Sequence, residues 1–355
     1  MTASPLSVIS SLPPQFSEAE ACQMARDHYG IEASAKVLVS ERDQNFLLQA
    51  RDGLSWVLKI ANVAEDPQFT DFQIKALQYI VEQSRNVPVP AIRRTKGGAD
   101  SLQIDRNGHL HVVRLVRWLP GKPLDADNLN AGLCRNLGVF LAQLGQSLHG
   151  FSHPGGAQTL LWDMRQALAL QEVLPLIADA NVRGLLAGCL DDFANCALPV
   201  LPQLRAQVIH NDFNPDNILM DAGDPNRVAG VIDFGDMQFA PLVIDVAIGA
   251  SYLRNTGGDP LHHIAEFVAG YHGVTPLTLT EIDLLYDLVN TRLATTVAIL
   301  AWRSGARAAG DAYLDKASVS ESSAAPFLAR LRELPRADVQ QRLRQVCASV
   351  AVQRD

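Results

Sequence analysis

The stretch His210-Asn211-Asp212-Phe213-Asn214-Pro215-Asp216-Asn217, with Asp233-Phe234-Gly235 downstream, decides how the chain is read. It has the form H-x-D-x-x-x-x-N followed by D-F-G. Asp212 is a carboxylate suited to orient a hydroxyl and accept its proton. Asn217, later in the same loop, can return an amide oxygen to a cation, and Asp233 brings a harder, anionic oxygen from the next hairpin. A base beside two oxygen ligands is what phosphoryl transfer to a hydroxyl requires: the metal lies against the phosphates while the base faces the attacking oxygen. His210 is read as supporting the loop by packing and hydrogen bonding.

The order of the two segments matches the catalytic and metal loops of protein kinases. Such chemistry also needs an ammonium on the nucleotide phosphates. Lys59, in Trp56-Val57-Leu58-Lys59-Ile60, stands near the end of an apolar strand, where that ammonium is expected.

Composition sets the bounds. Hydrophobic residues make up 48% and charged residues 19%, enough to bury a large core and too apolar for a disordered chain. Lys and Arg total 30 against 38 Asp and Glu, a formal charge of −8. That balance argues against nucleic acid or an anionic membrane as partner and is compatible with a cationic small substrate. Five scattered cysteines lack metal-type spacing, and Met1 to Pro14 lacks the charge and apolar core of a leader, so a reducing, cytoplasmic location is expected. The longest apolar stretches are interrupted by Asp245 or Arg292, from which no membrane span is expected. Arg292 and Trp302 are read as lying in one long apolar core helix, with Arg292 a paired arginine.

Ser17 and Glu20 have capping-box spacing for a helix reaching Tyr29, stopped by Gly30. Strands are expected at Ala35–Ser40, Asn45–Ala50, Leu54–Ile60, Ala91–Thr95, Leu102–Asp105 and His109–Trp118, with a helix at Phe69–Gln83. After Leu119-Pro120-Gly121 the pattern turns helical, at about 131–149, 162–178, 183–197, 260–271, 281–303 and 336–351, around a β-rich island at Gln207–Phe234. The expected architecture is α+β: a β-rich N-terminal nucleotide-binding lobe over 1–118, a hinge at 119–124 and a mainly helical C-terminal lobe over 125–355. A ligand is expected in a cleft between the lobes.

The chain resembles the aminoglycoside phosphotransferase and choline kinase group of protein-kinase-like small-molecule kinases, and within it the hydroxylysine kinases. Trp56–Asn62, Thr95-Lys96-Gly97, Leu119–Leu124, His210–Leu219, Gly230–Met237 and Asp245-Val246-Ala247 carry the likeness. The resemblance implies a bilobal kinase-like fold with Asp212 as catalytic base, Asn217 and Asp233 as Mg2+ ligands, and Lys59 on the phosphates of ATP or GTP. Trp118, just before the hinge, is placed with the nucleotide site. Asp245 would brace the catalytic loop. The implied acceptor is hydroxylysine or a related amino alcohol, with Asp216 and Asp236 as candidate partners of its amine; an aminoglycoside, ethanolamine, choline or homoserine are the alternatives. Related kinase domains occur fused to pyridoxal-phosphate-dependent domains, which implies a phospho-lyase as pathway neighbour.

Three departures stand out. No glycine-rich loop follows the first strand; Ser40–Phe46 stands there, with Ser40 and Asn45 as candidate phosphate contacts. The helix residue expected to hold Lys59 is Gln73 rather than Glu, with Asp71 the nearby carboxylate. Asn211 occupies a position that is usually Gly. The weakened Lys59 partner motivates a reading from another class, a nucleotide-binding regulatory module with little turnover.

Overall fold

The computed structural model describes residues 13–40, 42–83, 87–255, 257–306, 316, 319 and 321–352. It divides into two compact units, Met1–Pro120 with His153–Gln158, and Gly121–Ser152 with Thr159–Asp355.

In the first unit the Ser17 side chain accepts the Glu20 N–H while the Glu20 carboxylate accepts the Ser17 N–H, closing the capping box of α1 (Glu18–Met24). The helix runs on through a π turn, Ala25–Tyr29, and stops at Gly30, whose φ of 70° belongs to the left-handed region that glycine enters without strain. An antiparallel sheet follows: β1 (Ala33–Leu38), β2 (Gln44–Ala50), β3 (Ser55–Ile60), β4 (Ile92–Arg93), β5 (Leu102–Arg106) and β6 (His109–Arg117), in the order β1-β2-β3-β6-β4 with β5 also on β6. Strand alternation assigns its two faces. Leu58 and Ile60 join Phe46, Leu48, Val113 and Leu115 beneath Phe16, Ala21, Met24 and Tyr29, a core with every member nearly or fully buried. Lys59, between Leu58 and Ile60, therefore emerges on the other face, where α2 (Pro67–Gln83) supplies Gln73. The His153–Gln158 turn packs on that helix, with the His153 ring stacked on Phe72 at 5.6 Å.

The second unit starts inside the segment expected to be a hinge. Lys122–Pro123 is a short strand, β7, paired with β9 (Ile218–Met220), and the Leu124 N–H donates to the Ile218 carbonyl at 2.9 Å. The segment from Gly121 on is thus tied to the catalytic hairpin by backbone hydrogen bonds. β9 pairs with β10 (Val228–Val231), and β8 (Ala206–Ile209) with β11 (Gln238–Pro241). The helices include α3 (Ala131–Ser147), α4 (Ala180–Asp192), α5 (Leu242–Ser251), α6 (His262–Val274) and α7 (Leu279–Ala306), followed by Ala324–Arg332 and Arg336–Val352. A Cβ on Gly138 would lie 2.0 Å from the Phe267 carbonyl oxygen, so α3 and α6 pack backbone to backbone, a contact only glycine permits.

Four expectations need correction. The helix expected at 162–178 is a series of 3-10 turns, Met164–Glu172 and Leu174–Leu176; Pro175 has no N–H to continue a helix there. α5 and Ala324–Arg332 were not expected at all. Cys189 and Cys196, seven apart and expected as two buried thiols on one helix face, differ: Cys189 is buried and Cys196 half-buried. Finally, α7 is long and apolar enough to cross a membrane by length and composition, despite Arg292, but 83% of that window is buried inside the protein.

Candidate active site

Three hairpin strands deliver the second unit's reactive side chains. β8 ends at Ile209 and hands on to His210; β9 begins immediately after Asn217; β10 runs into Asp233, and the Ile232 N–H donates to the Asn217 carbonyl at 2.9 Å. Asp245, in the first turn of α5, reaches back to the loop. Its two carboxylate oxygens accept consecutive backbone N–H groups, from His210 at 3.1 Å and Asn211 at 2.8 Å. Burial pushes the Asp245 carboxyl up to about 6, against the pull of those two N–H groups and of Arg292.

The brace allows an unusual backbone. Asn211 has φ 64° and Asp233 φ 57°, both left-handed, and Asn and Asp are the non-glycine residues that tolerate this region best. Asn in the place of Gly at position 211 is thereby accounted for. Its side-chain oxygen accepts from Gln238 Nε2 at 3.0 Å, and Gln238 Oε1 accepts from Arg165, which pairs with buried Asp163.

His210 is fully buried. Its Nδ1 faces the Asp212 N–H at 3.3 Å and its Nε2 the Ile232 carbonyl at 3.2 Å, while the ring meets Phe234 edge-on. An acceptor at Nδ1 and a donor at Nε2 describe a neutral imidazole, in keeping with burial, which lowers its pKa to about 4. That geometry is the one expected of a supporting residue.

Asn217 Nδ2 donates to the Asp212 carbonyl at 3.0 Å and to Asp212 Oδ2 at 2.7 Å. Both donor hydrogens are thereby directed at Asp212, so the Asn217 side-chain oxygen is the atom left for a cation. Asp233 is exposed, with its Oδ1 accepting the Gly235 N–H at 3.2 Å. One amide oxygen and one exposed carboxylate make an incomplete oxygen set of the kind Mg2+ takes when phosphates and water complete its shell. Among the described residues no group of three or more His, Cys, Asp or Glu is arranged to cage a metal unaided. The Asp212 carboxyl is pushed up to about 7 by burial and by Asp236, with Asp233 adding to this and Arg292 opposing it. Three carboxylates thus crowd one site, a charge that a divalent cation would relieve.

The two candidate amine partners differ. Asp236 is buried and close enough to act on Asp212. Asp216 is exposed and ion-paired with Lys316 at 2.9 Å on the surface, so its carboxylate already faces a cation of this chain.

The first unit, taken by itself, places Lys59 half-buried on β3, directly across from Asn45 on β2 and Arg114 on β6. Asn45 Nδ2 donates to Ser40 Oγ at 3.2 Å, which pins the loop that replaces the glycine-rich one. The Gln73 amide oxygen accepts a hydrogen bond from the buried Arg114 guanidinium, a partner that sequence did not name. Asp71 points elsewhere, to His153 Nε2 at 3.1 Å. Arg114 also acts on Glu65, whose pKa is raised chiefly by burial and also by Asp43, although Arg114 and a 2.6 Å hydrogen bond from Thr70 oppose the rise. Trp118 is 40% exposed at the end of β6, its N–H bonded to the Ser55 carbonyl.

Arg292, expected as a paired arginine of a core helix, is buried, and the partner that sequence did not name is Asp212, whose Oδ1 lies 3.6 Å away; the guanidinium rests against the faces of Trp162 and Tyr252. The signal available was a charged residue inside an apolar helix, the usual mark of a paired core arginine as much as of a site.

The profile of the phosphotransferase enzyme family matches residues 34–281, more than half of the chain. The chain belongs to this family. Hydroxylysine kinase of Mus musculus is 26% identical over 317 residues, 82% of this chain and 84% of that protein. Among solved structures, a microcompartment-associated aminopropanol kinase superposes with a TM-score of 0.69 at 20% identity, covering 88% of this chain and 97% of that one. An amicoumacin kinase bound to AMP-PNP and Ca2+ gives 0.64 at 14% identity over 88% and 94%. These likenesses establish the kinase-like α+β fold. The protein is a small-molecule phosphotransferase with a hydroxyl acceptor.

Proposed function

We propose that the protein transfers the γ-phosphoryl group of ATP or GTP to the hydroxyl of hydroxylysine or a closely related amino alcohol. The observation that carries this is the similarity to hydroxylysine kinases over more than 80% of both lengths. The crowding of Asp212, Asp233 and Asp236 supports a cationic acceptor. In this reading Asp212 orients the hydroxyl and takes its proton. Asn217 keeps the Asp212 carboxylate facing the acceptor and, with Asp233, would hold Mg2+; that ion, when bound, neutralises charge on the transferring phosphoryl oxygens. Lys59 contributes its charge to the nucleotide phosphates. Asp236 favours the acceptor's ammonium, and charge-assisted pairing of that kind is worth about tenfold or more in preference over a neutral group.

The test is a panel of hydroxylysine, ethanolamine, choline, homoserine and an aminoglycoside, each with ATP and with GTP. Hydroxylysine is expected to give the highest kcat/KM, and N-acetylation of its distal amine to cut that value by about tenfold or more. A neutral sugar or a hydroxy acid without an amine outcompeting all of them would overturn the acceptor class and leave the phosphotransferase intact.

A further inference from the structure

Arg292 is a buried cation whose surroundings do not satisfy it. It is 2% exposed. Its Nη2 donates to the Tyr252 hydroxyl at 3.0 Å, while Asp212 Oδ1, at 3.6 Å, is beyond hydrogen-bond reach. Its Nε and Nη1 find no hydrogen-bond partner among the described residues. The guanidinium lies 4.7 Å from the centre of the Trp162 indole and 5.8 Å from that of Tyr252; a second guanidinium, Arg303, lies 5.6 Å from the same indole.

Buried guanidinium groups are ordinarily furnished with acceptors, because an unmet charged donor keeps its full desolvation cost. Stacking on two rings fixes the plane of the fork without supplying an oxygen. The same guanidinium lies beside the carboxylate that faces the attacking hydroxyl, with Nη2 at 3.6 Å from Asp212 Oδ1. A ligand oxyanion a few bonds from that hydroxyl would meet the fork while its hydroxyl met Asp212.

We propose that Arg292 binds the carboxylate of the acceptor, so that the acceptor is a hydroxy-amino acid rather than an amino alcohol without an acid group. This rests on the reading that the acceptor is an amino compound phosphorylated at a hydroxyl beside Asp212. Asp236 and Arg292 then recognise opposite ends of a zwitterion. Trp162 and Tyr252 fix the plane of the guanidinium, and a carboxylate oxygen reaching Nη1 or Nε would supply the acceptor that this buried charge lacks.

Hydroxylysine, its carboxamide and its decarboxylated analogue distinguish the two oxyanions available to Arg292, the acceptor carboxylate and the transferring phosphoryl group. In the parent protein the acid is expected to exceed the amide by roughly thirtyfold in kcat/KM, mostly through KM. In Arg292→Gln the ratio falls to within about threefold, with the nucleotide KM unchanged; Arg292→Lys falls between, since an ammonium keeps the charge but not the fork. Equal use of acid and amide by the parent overturns the proposal while the amino-acceptor reading stands, and this comparison requires no variant to fold. A ratio that survives in Arg292→Gln overturns the assignment to this residue. A kcat loss of equal size for acid and amide in Arg292→Lys assigns the guanidinium to the phosphoryl group instead, which also overturns it. No turnover of any of the three, with turnover of a neutral sugar, sinks the amino-acceptor reading itself.

Discussion

In the second unit the reactive side chains are held by nearby backbone, whereas in the first the Lys59 face is held by side chains from distant elements. Asp245 accepts two consecutive N–H groups of the catalytic loop, and Asn217 closes on both the carbonyl and the carboxylate of Asp212. Lys59 instead shares its sheet face with Arg114 from β6, which is bonded to Gln73 from α2. Backbone-held groups have one geometry and no substitutes, so changes there should act all-or-none on chemistry. A side-chain-held face can redistribute its contacts, so changes there should be graded.

The sharpest test of the first half is Asp212→Asn. An amide in place of the base should lower turnover by about two orders of magnitude or more while nucleotide affinity stays nearly constant. Asp233→Ala should abolish transfer at ordinary Mg2+ with the circular dichroism spectrum intact. Unchanged turnover of Asp233→Ala at saturating Mg2+ would remove Asp233 from the metal site.

Asp245→Ala comes next, because it breaks structure and chemistry together. It leaves two buried N–H groups without acceptors, for a loss of about 3 kcal/mol in unfolding free energy and a fall in turnover, the loop being strained at Asn211. Denaturant unfolding of Asp212→Asn beside Asp245→Ala separates the roles: only the latter should lose stability. If both lose it equally, Asp212 braces the loop as well as faces the acceptor.

The other half of the comparison predicts smaller effects. Lys59→Ala should raise the nucleotide KM by about tenfold, through loss of an ion pair with phosphate. Arg114→Met should cost about 1–3 kcal/mol of stability, since Gln73 loses its donor in a buried setting, and should move the nucleotide KM less than Lys59→Ala does. A nucleotide KM rising as much in Arg114→Met as in Lys59→Ala would show that the two cations act as one site.

The same contrast explains what was legible in the sequence. Asp212, Asn217 and Asp233 fall in two adjacent hairpins, so spacing along the chain nearly reproduces spacing in the fold. The capping box at Ser17, the turn at Gly30 and the alternating strands up to Arg117 are equally local. Gln73 was matched to Lys59 by helix spacing, but spacing along α2 carries no information about Arg114, which β6 brings to the same face. Arg292 is distant in sequence from Asp212 and sits in a helix whose apolar majority hides it. α5 escaped because every one of its ten residues is buried, leaving no polar face to reveal a 3.6-residue period.

The smallest predicted effect concerns Asp216, which sequence alone ranked with Asp236 as a partner for the amine. In the structure its carboxylate is 53% exposed and faces Lys316 Nζ, itself 60% exposed, at 2.9 Å. An ion pair that wet is worth about 0–1 kcal/mol, because water and salt compete for both ends and two long side chains must be ordered to make it. Asp216→Asn should therefore change stability by less than about 0.5 kcal/mol, and kcat/KM for hydroxylysine by less than about threefold. Asp236→Asn acts where water is scarce and should raise the KM for hydroxylysine by about tenfold. A larger KM effect at Asp216 than at Asp236, with the nucleotide KM constant in both, would mean that Lys316 merely occupies the place of the substrate amine. The surface loop rather than the buried carboxylate would then select the acceptor.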